Sequence, residues 1–237
     1  FNQAQGKKQA QFYLFECEDD QEAADALFNR VFEWAKARGL NHLVGPKGFS
    51  PFDGYGIQIE GFEHRQMMSM MNYNYPYYVR LVENNGFVKE VDFVSCYLAK
   101  NAFHLPERVH RIVERVKQRG ELVVRNFQSK KELRSWADKI GKTYNNTFVN
   151  NWEYYPLTDR EIKFALDTIM VVADPRLIKV ITRNEDVVGF LFGFPDLSAA
   201  LQRAKGRLLP FGIVDLMLES RRTKWVSLNG AGILPQY

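Results

Sequence analysis

KWVSLNGAGILPQY, residues 224–237, changes character halfway along, and the fold turns on how that change is read. Trp225, Val226 and Leu228 suit a buried strand. Asn229, Gly230 and Gly232 then bring low strand propensity and freedom to adopt positive φ, the mark of a bulge or of close approach to the backbone. Pro235 ends the segment. A strand whose ladder opens at its end leaves N–H groups that are either solvated or directed at a ligand. An ordinary strand running into a loop would carry the same residues, so the surrounding chain has to decide.

Upstream of this stretch, residues 177–182 and 187–194 read as strands flanking Asn184-Glu185-Asp186, a hairpin signal. Two capping boxes precede them, Ser129 with Glu132 and Thr158 with Glu161. The first opens a helix with Leu133, Trp136, Ala137, Ile140 and Tyr144 on one face. The second carries Ile162, Ala165, Leu166, Ile169 and Ala173 and closes before Pro175. Residues 122–127 form a strand ahead of both. A connector helix with the stripe Val109, Ile112, Val113 and Val116 precedes that strand, stopped by Gly120. The order is strand, two helices, hairpin, and then the glycine-broken strand.

The first hundred residues have a related rhythm. QFYLFEC, residues 11–17, is an aromatic strand candidate, and Asp19 and Asp20 stand at the start of a helix with Ala24, Leu27, Phe28, Val31, Trp34 and Ala35 on one face. Gly39 stops it, and residues 42–44 return as a short strand. Strand, helix, strand at this spacing is a βαβ crossover with parallel strands. Residues 45–71 have no sustained period and read as a long loop, in which Met67, Met68, Met70 and Met71 serve as soft apolar filler. Pro76 begins a helix with Tyr78, Leu81 and Val82 inward, Asn85-Gly86 ends it, and residues 87–98 read as a strand.

Composition narrows the function. The chain has 237 residues, 46% hydrophobic and 14% aromatic, enough for a packed core. No apolar run approaches the roughly 20 residues that span a bilayer, and residues 1–30 lack a signal pattern, so cytoplasm is the default compartment. Cys17 and Cys96 have no metal-ligand spacing and are expected as reduced core thiols, without a metal centre. The formal charge is +4, but the basic residues are scattered among acidic ones, so nucleic acid is not an expected partner. His42, His64, His104 and His110 are unclustered, and no residue stands out as a general base.

The element order, with a strand splaying at its end, is similar to the first half of the GNAT superfamily of acyl-CoA N-acyltransferases, and residues 10–98 look like the second half of another copy. The strings ECEDDQEAADALF, Gly45-Pro46, GFEHR, NYNYPYYVRLVENNGFVKEVDF, YNNTFVNNWEYYPLTDREI and GFLFGFPDLSAAL together resemble a family of tandem GNAT-like proteins over nearly the whole chain. The resemblance implies an α/β protein with mixed sheets. Residues 1–104 would be the C-terminal half of a first unit, lacking its opening strands. Residues 105–120 would be a connector, and residues 121–237 the N-terminal half of a second unit.

The resemblance also implies chemistry. An amine attacks the thioester of acetyl-CoA or a longer acyl-CoA directly, so acyl-CoA and an amine acceptor are the implied partners. Leu228, Asn229, Gly230, Ala231, Gly232 and Ile233 would then end the central strand of the second unit, splayed from a parallel neighbour, with the pantetheine arm in the gap. Asn151, Trp152, Tyr154 and Tyr155, preceded by Asn150 in the connection between two helices, would border the acceptor cleft. The family's pyrophosphate loop, a Gln/Arg-x-x-Gly-x-Gly/Ala motif at a helix N-terminus, is absent. The corresponding place in the first unit holds Glu18, Asp19, Asp20 and Glu22, whose charges repel phosphate, and in the second unit the loop is expected after Tyr237. A non-catalytic binding or scaffolding protein on the same fold is the rival expectation, and a peptidyl or lipid-amine acyltransferase a third.

Overall fold

The structure, a computed structural model, describes residues 1–48, 53–64 and 71–237. In chain order these form α1 (Asn2–Gln5), β1 (Gln9–Gln11), α2 (Gln21–Ala37), β2 (His42–Val44), α3 (Tyr78–Glu83), α4 (Glu107–Arg119), β3 (Leu122–Asn126), α5 (Lys130–Ser135), α6 (Ala137–Thr147), α7 (Asp159–Val172), β4 (Ile178–Arg183), β5 (Asp186–Pro195), α8 (Ser198–Ala204), α9 (Gly212–Arg222) and β6 (Val226–Ile233). They divide into two units. One comprises Phe1–Val94 with Leu197–Asp215, the other Ser95–Asp196 with Leu216–Tyr237.

In the first unit β1 and β2 pair in parallel, with Gln9 opposite His42 and Gln11 opposite Val44, and α2 makes the crossover. This is the expected βαβ connection. Asp20 caps α2, and Gly39 follows it with φ of 65°. The strand expected over residues 11–17 is shorter and earlier. Only Gln11 lies in the ladder, because the backbone turns at Leu14, whose φ is 54°. The aromatic side chains pack all the same. The rings of Phe12, Phe15 and Phe87 lie 5.4, 5.0 and 4.9 Å from that of buried Phe28. Aromatic enrichment here reported a core contact and not a pleat.

The strand expected over residues 87–98 does not form either. Those residues lie in none of the strands of the two described sheets, and Val88 and Val94 are 86% and 82% exposed. Cys96 lies in that exposed segment, and Cys17 is half-buried. Both are free thiols, but neither is a core residue. Met67, Met68 and Met70 lie outside the described residues, and Met71 is exposed.

The second unit contains a four-stranded antiparallel sheet in the order β3-β4-β5-β6. Asn184, at φ of 55°, makes the β4–β5 hairpin. The core gathers Phe127, Leu133, Ile140, Met170, Ala173, Ile178, Val180, Val187 and Phe194, so α5, α6 and α7 lay their apolar faces on the sheet. The buried Thr143 Oγ1 ties α6 to β5 by donating to the Val187 carbonyl at 2.9 Å. Both capping devices form, in different ways. Thr158 and Glu161 exchange the two reciprocal bonds, whereas Glu132 reaches back one residue further and accepts from the Gln128 N–H at 2.8 Å. On α4 the Gly120 stop is left-handed as expected, yet no residue of the helix is buried, and Ile112 and Val113 are exposed. The whole is a mixed α/β protein with parallel and antiparallel pairs.

Candidate functional site

The glycine-bearing strand β6 lies at an edge of the sheet, and its register decides what its glycines do. Phe190 faces Gly232, Leu191 faces Ala231 and Phe192 faces Gly230, but Gly193 faces Leu228, so Asn229 is the extra residue of a bulge. Strand β6 is the last of the described order, and the parallel neighbour expected beside it is not one of the named strands. Leu228, Ala231 and Ile233 are exposed, while Asn229, Gly230 and Gly232 are half-buried.

The bulge matches the sequence expectation, but the positive φ does not. Neither Gly230 nor Gly232 adopts it. Glycine is required for another reason. A Cβ at Gly232 would lie 2.4 Å from Thr147 Cγ2 and 3.1 Å from Phe190 Cζ, and one at Gly230 would lie 3.2 Å from Phe192 Cδ2. The close approach at Gly232 is that of α6 to the sheet. Substituting Gly232 therefore strikes the packing directly, and its effect on turnover could not be separated from an effect on stability.

The connection between α6 and α7 begins at the same end of α6. Phe148 packs edge-on against Tyr144 and Phe190, so residues 148–157 depart close to where Thr147 meets Gly232. Asn151 and Trp152 are exposed, and Tyr155 is half-buried. Tyr154 turns inward. Its hydroxyl donates to the Asn145 carbonyl, and the Asn145 side chain donates to Leu157 O at 2.8 Å and accepts from Leu157 N at 2.9 Å. Burial pushes the Tyr154 phenol up, so it stays protonated and acts as a clamp on the connection. Of the four acceptor-side candidates, Asn151 and Trp152 are the ones the structure leaves exposed.

A second polar centre, in the first unit, escaped the sequence reading. The Tyr78 hydroxyl donates to Glu16 Oε2 at 2.6 Å and accepts from Cys17 N at 3.4 Å, and Tyr77 donates to Cys17 O at 3.0 Å. Burial, then the bond to Glu16, pushes the Tyr78 phenol up to about 12. Burial, with Asp20 and Glu18 nearby, also raises Cys17, which is thereby held as a thiol. An open groove of about 540 Å³ runs beside it, lined by Glu16, Cys17, Glu18, Ala23, Ala26, Leu27 and Arg30. Tyr78 was visible only as an inward helix residue, because its partner lies 62 positions away.

Asp20 occupies the N-terminus of α2, accepting from Glu22 N at 2.8 Å and Ala23 N at 3.2 Å, and Asp19 is paired with Arg80. Donors that a phosphate would need are thus already used. The acidic string works as a cap, as its charges led one to expect.

No family model matches the chain. Two known proteins are similar to it. A bacterial ceramide synthase of Caulobacter vibrioides is 27% identical over 213 residues, covering 90% of this chain and 54% of the relative. Protein YghO of Escherichia coli is 24% identical over 229 residues, covering 95% of this chain and 58% of the relative. The chain therefore spans a little more than half the length of these relatives. Among the described residues no helix is long and apolar enough to cross a membrane.

The chemistry open to this arrangement is limited in kind. Cys17 is held as a thiol, and the Tyr78 and Tyr154 phenols are held protonated. Activation of either group as a nucleophile is disfavoured. What the second unit offers is the last strand of its described sheet, with a bulge at Asn229 in its pairing to β5.

Proposed function

We propose that this chain is part of an N-acyltransferase built from two GNAT-like units, which moves an acyl group from acyl-CoA to the amine of a long-chain amino alcohol. The observation that carries it is the similarity to a ceramide synthase along 90% of the chain. A ceramide is the amide of a fatty acid with such an amine, so its synthesis forms one N–C bond. In the proposed step the neutral amine nitrogen attacks the thioester carbonyl and the C–S bond breaks. The amine proton leaves, and the CoA thiolate takes up a proton.

The step calls for placement of the two reactants and for a donor to the developing oxyanion. Residues 228–233 suit that part, since an extended pantetheine can add to the last strand of a sheet through main-chain hydrogen bonds, and the bulge at Asn229 sets that stretch of β6 out of regular register with β5. Asn151 and Trp152, exposed on the connection after α6, are the proposed acceptor-side contacts. The turn at Asp20 is not assigned to CoA, because its amides are already capped.

The test is a product assay. Full-length protein carrying this chain is incubated with a long-chain acyl-CoA and, in parallel, with sphinganine, a short primary amine or an amino acid, and amides are detected by mass spectrometry. An amide formed with sphinganine is the expected result. Absence of any amide and of any released CoA thiol would overturn the proposal in favour of a non-catalytic binding protein on this fold.

A further inference from the structure

Residues 197–214 contain Arg203, Lys205 and Arg207 and not one carboxylate. The first acid that follows, Asp215, is taken by Arg203, whose Nε and Nη2 reach its two oxygens at 2.8 and 2.9 Å. Lys205 and Arg207 are exposed, and no carboxylate of the described residues neutralises them. Beside these two cations the chain turns between α8 and α9 and presents Leu208, Leu209, Phe211, Ile213 and Val214 to solvent, with Leu209 76% and Phe211 78% exposed.

This turn is held in shape by its own backbone. Arg207 N donates to Ala204 O at 2.8 Å, Ile213 N to Leu208 O at 2.8 Å and Asp215 N to Phe211 O at 3.0 Å. Gly212 closes it, since a Cβ there would sit 2.5 Å from Arg207 O. An ordered turn that bonds its own main chain while exposing its largest apolar side chains leaves those side chains available to an external apolar phase.

We propose that residues 205–214 dock on the surface of an anionic lipid bilayer. Leu208, Leu209 and Phe211 enter the boundary between headgroups and acyl chains, and Lys205 and Arg207 meet the phosphates. Interfacial anchors combine an apolar face with adjacent cations in this way, and their binding grows with both. Net positive charge beside the apolar residues is what selects a lipid surface over a second copy of the chain, which would bring the same cations together. The inference is independent of the proposed acyl transfer, because it concerns binding alone.

Vesicle co-sedimentation tests it with full-length protein and no acyl donor. Vesicles of phosphatidylcholine mixed with phosphatidylglycerol should retain the protein, and vesicles of phosphatidylcholine alone should retain it less. Leu209→Ser with Phe211→Ser should weaken retention on the mixed vesicles at least tenfold. Lys205→Gln with Arg207→Gln should weaken it by about fivefold per charge on the mixed vesicles only, with a matching loss for wild type at high salt. These positions are exposed, and circular dichroism of each variant verifies the fold. Absence of retention on either vesicle, or retention unchanged in both variants, would overturn the proposal. So would a dimer in analytical ultracentrifugation that Phe211→Ser abolishes without vesicle binding, which would assign the turn to a second copy.

Discussion

The turn into α2 and the bulged strand β6 both look, in sequence, like places where main-chain amides face a ligand, and they differ in what already occupies those amides. At α2 the Asp20 carboxylate takes the N–H groups of Glu22 and Ala23. On β6 the ladder to β5 takes the main chain of one side, and the bulge at Asn229 interrupts it. The lesson is that a break in secondary structure becomes a binding feature only if nothing nearer satisfies its donors. A carboxylate of the same chain is nearer than any phosphate.

The most forceful way to sharpen this comparison is at Gly232. Gly232→Val should destabilise the protein by about 3 kcal/mol, because the new side chain meets Thr147 and Phe190. Thr147→Ala in the same chain should recover part of that loss, read as a coupling in urea unfolding. No recovery would mean that the glycine answers to something other than α6. Activity of the rescued double variant is the cleaner probe of the β6 edge, since it separates packing from chemistry.

Tyr78 tests the unit that carries the capped turn. Removing its hydroxyl with Tyr78→Phe should cost about 2 kcal/mol, the range for a hydrogen bond to a charged partner. The bond also predicts a pH dependence. A phenol raised from 10 to about 12 on folding contributes stability that is complete below pH 10 and is lost as pH rises through about 12. Alkaline denaturation followed by circular dichroism should show this loss in wild type and a smaller one in Tyr78→Phe. Equal alkaline curves would remove Tyr78 from the account.

Asp20→Ala should cost about 1 kcal/mol, as loss of an N-cap does, with Asp20→Asn close to neutral. If the freed amides then gained affinity for CoA in a titration, the turn would be a suppressed cradle. No gain is expected, because Glu18, Asp19 and Glu22 remain. The smallest effect belongs to Tyr154→Phe, at or below about 1 kcal/mol for one neutral hydrogen bond. It should leave the acceptor KM unchanged, whereas Trp152→Ala should raise it. A raised KM in Tyr154→Phe would return that hydroxyl to the acceptor site.

Periodicity and capping chemistry made much of the fold legible. The helices over Gln21–Ala37, Glu107–Arg119 and Asp159–Val172, the hairpin at Asn184 and the parallel pairing of β1 with β2 all follow from residues close together in sequence, whose interactions are fixed by local geometry. Strands were less legible, because a strand exists only with a partner. Residues 87–98 have strand-like residues yet lie in neither sheet of the described strands, and residues 11–17 have aromatic side chains that pack although only Gln11 lies in the ladder.

For the candidate site, the sequence by itself determined that a bulge would fall within residues 228–233, though the strand runs on to Ile233, and that the acids at 18–22 would cap a helix, as Asp20 does. Low strand propensity and a carboxylate near an N-terminus act within a few residues. Only the tertiary structure decided why Gly232 is glycine, which way Tyr154 points and that Tyr78 meets Glu16. Gly232 meets Thr147 and Tyr78 meets Glu16, residues far away in the chain, and Tyr154 bonds across the connection it closes. No local pattern encodes contacts that exist only once the elements have packed.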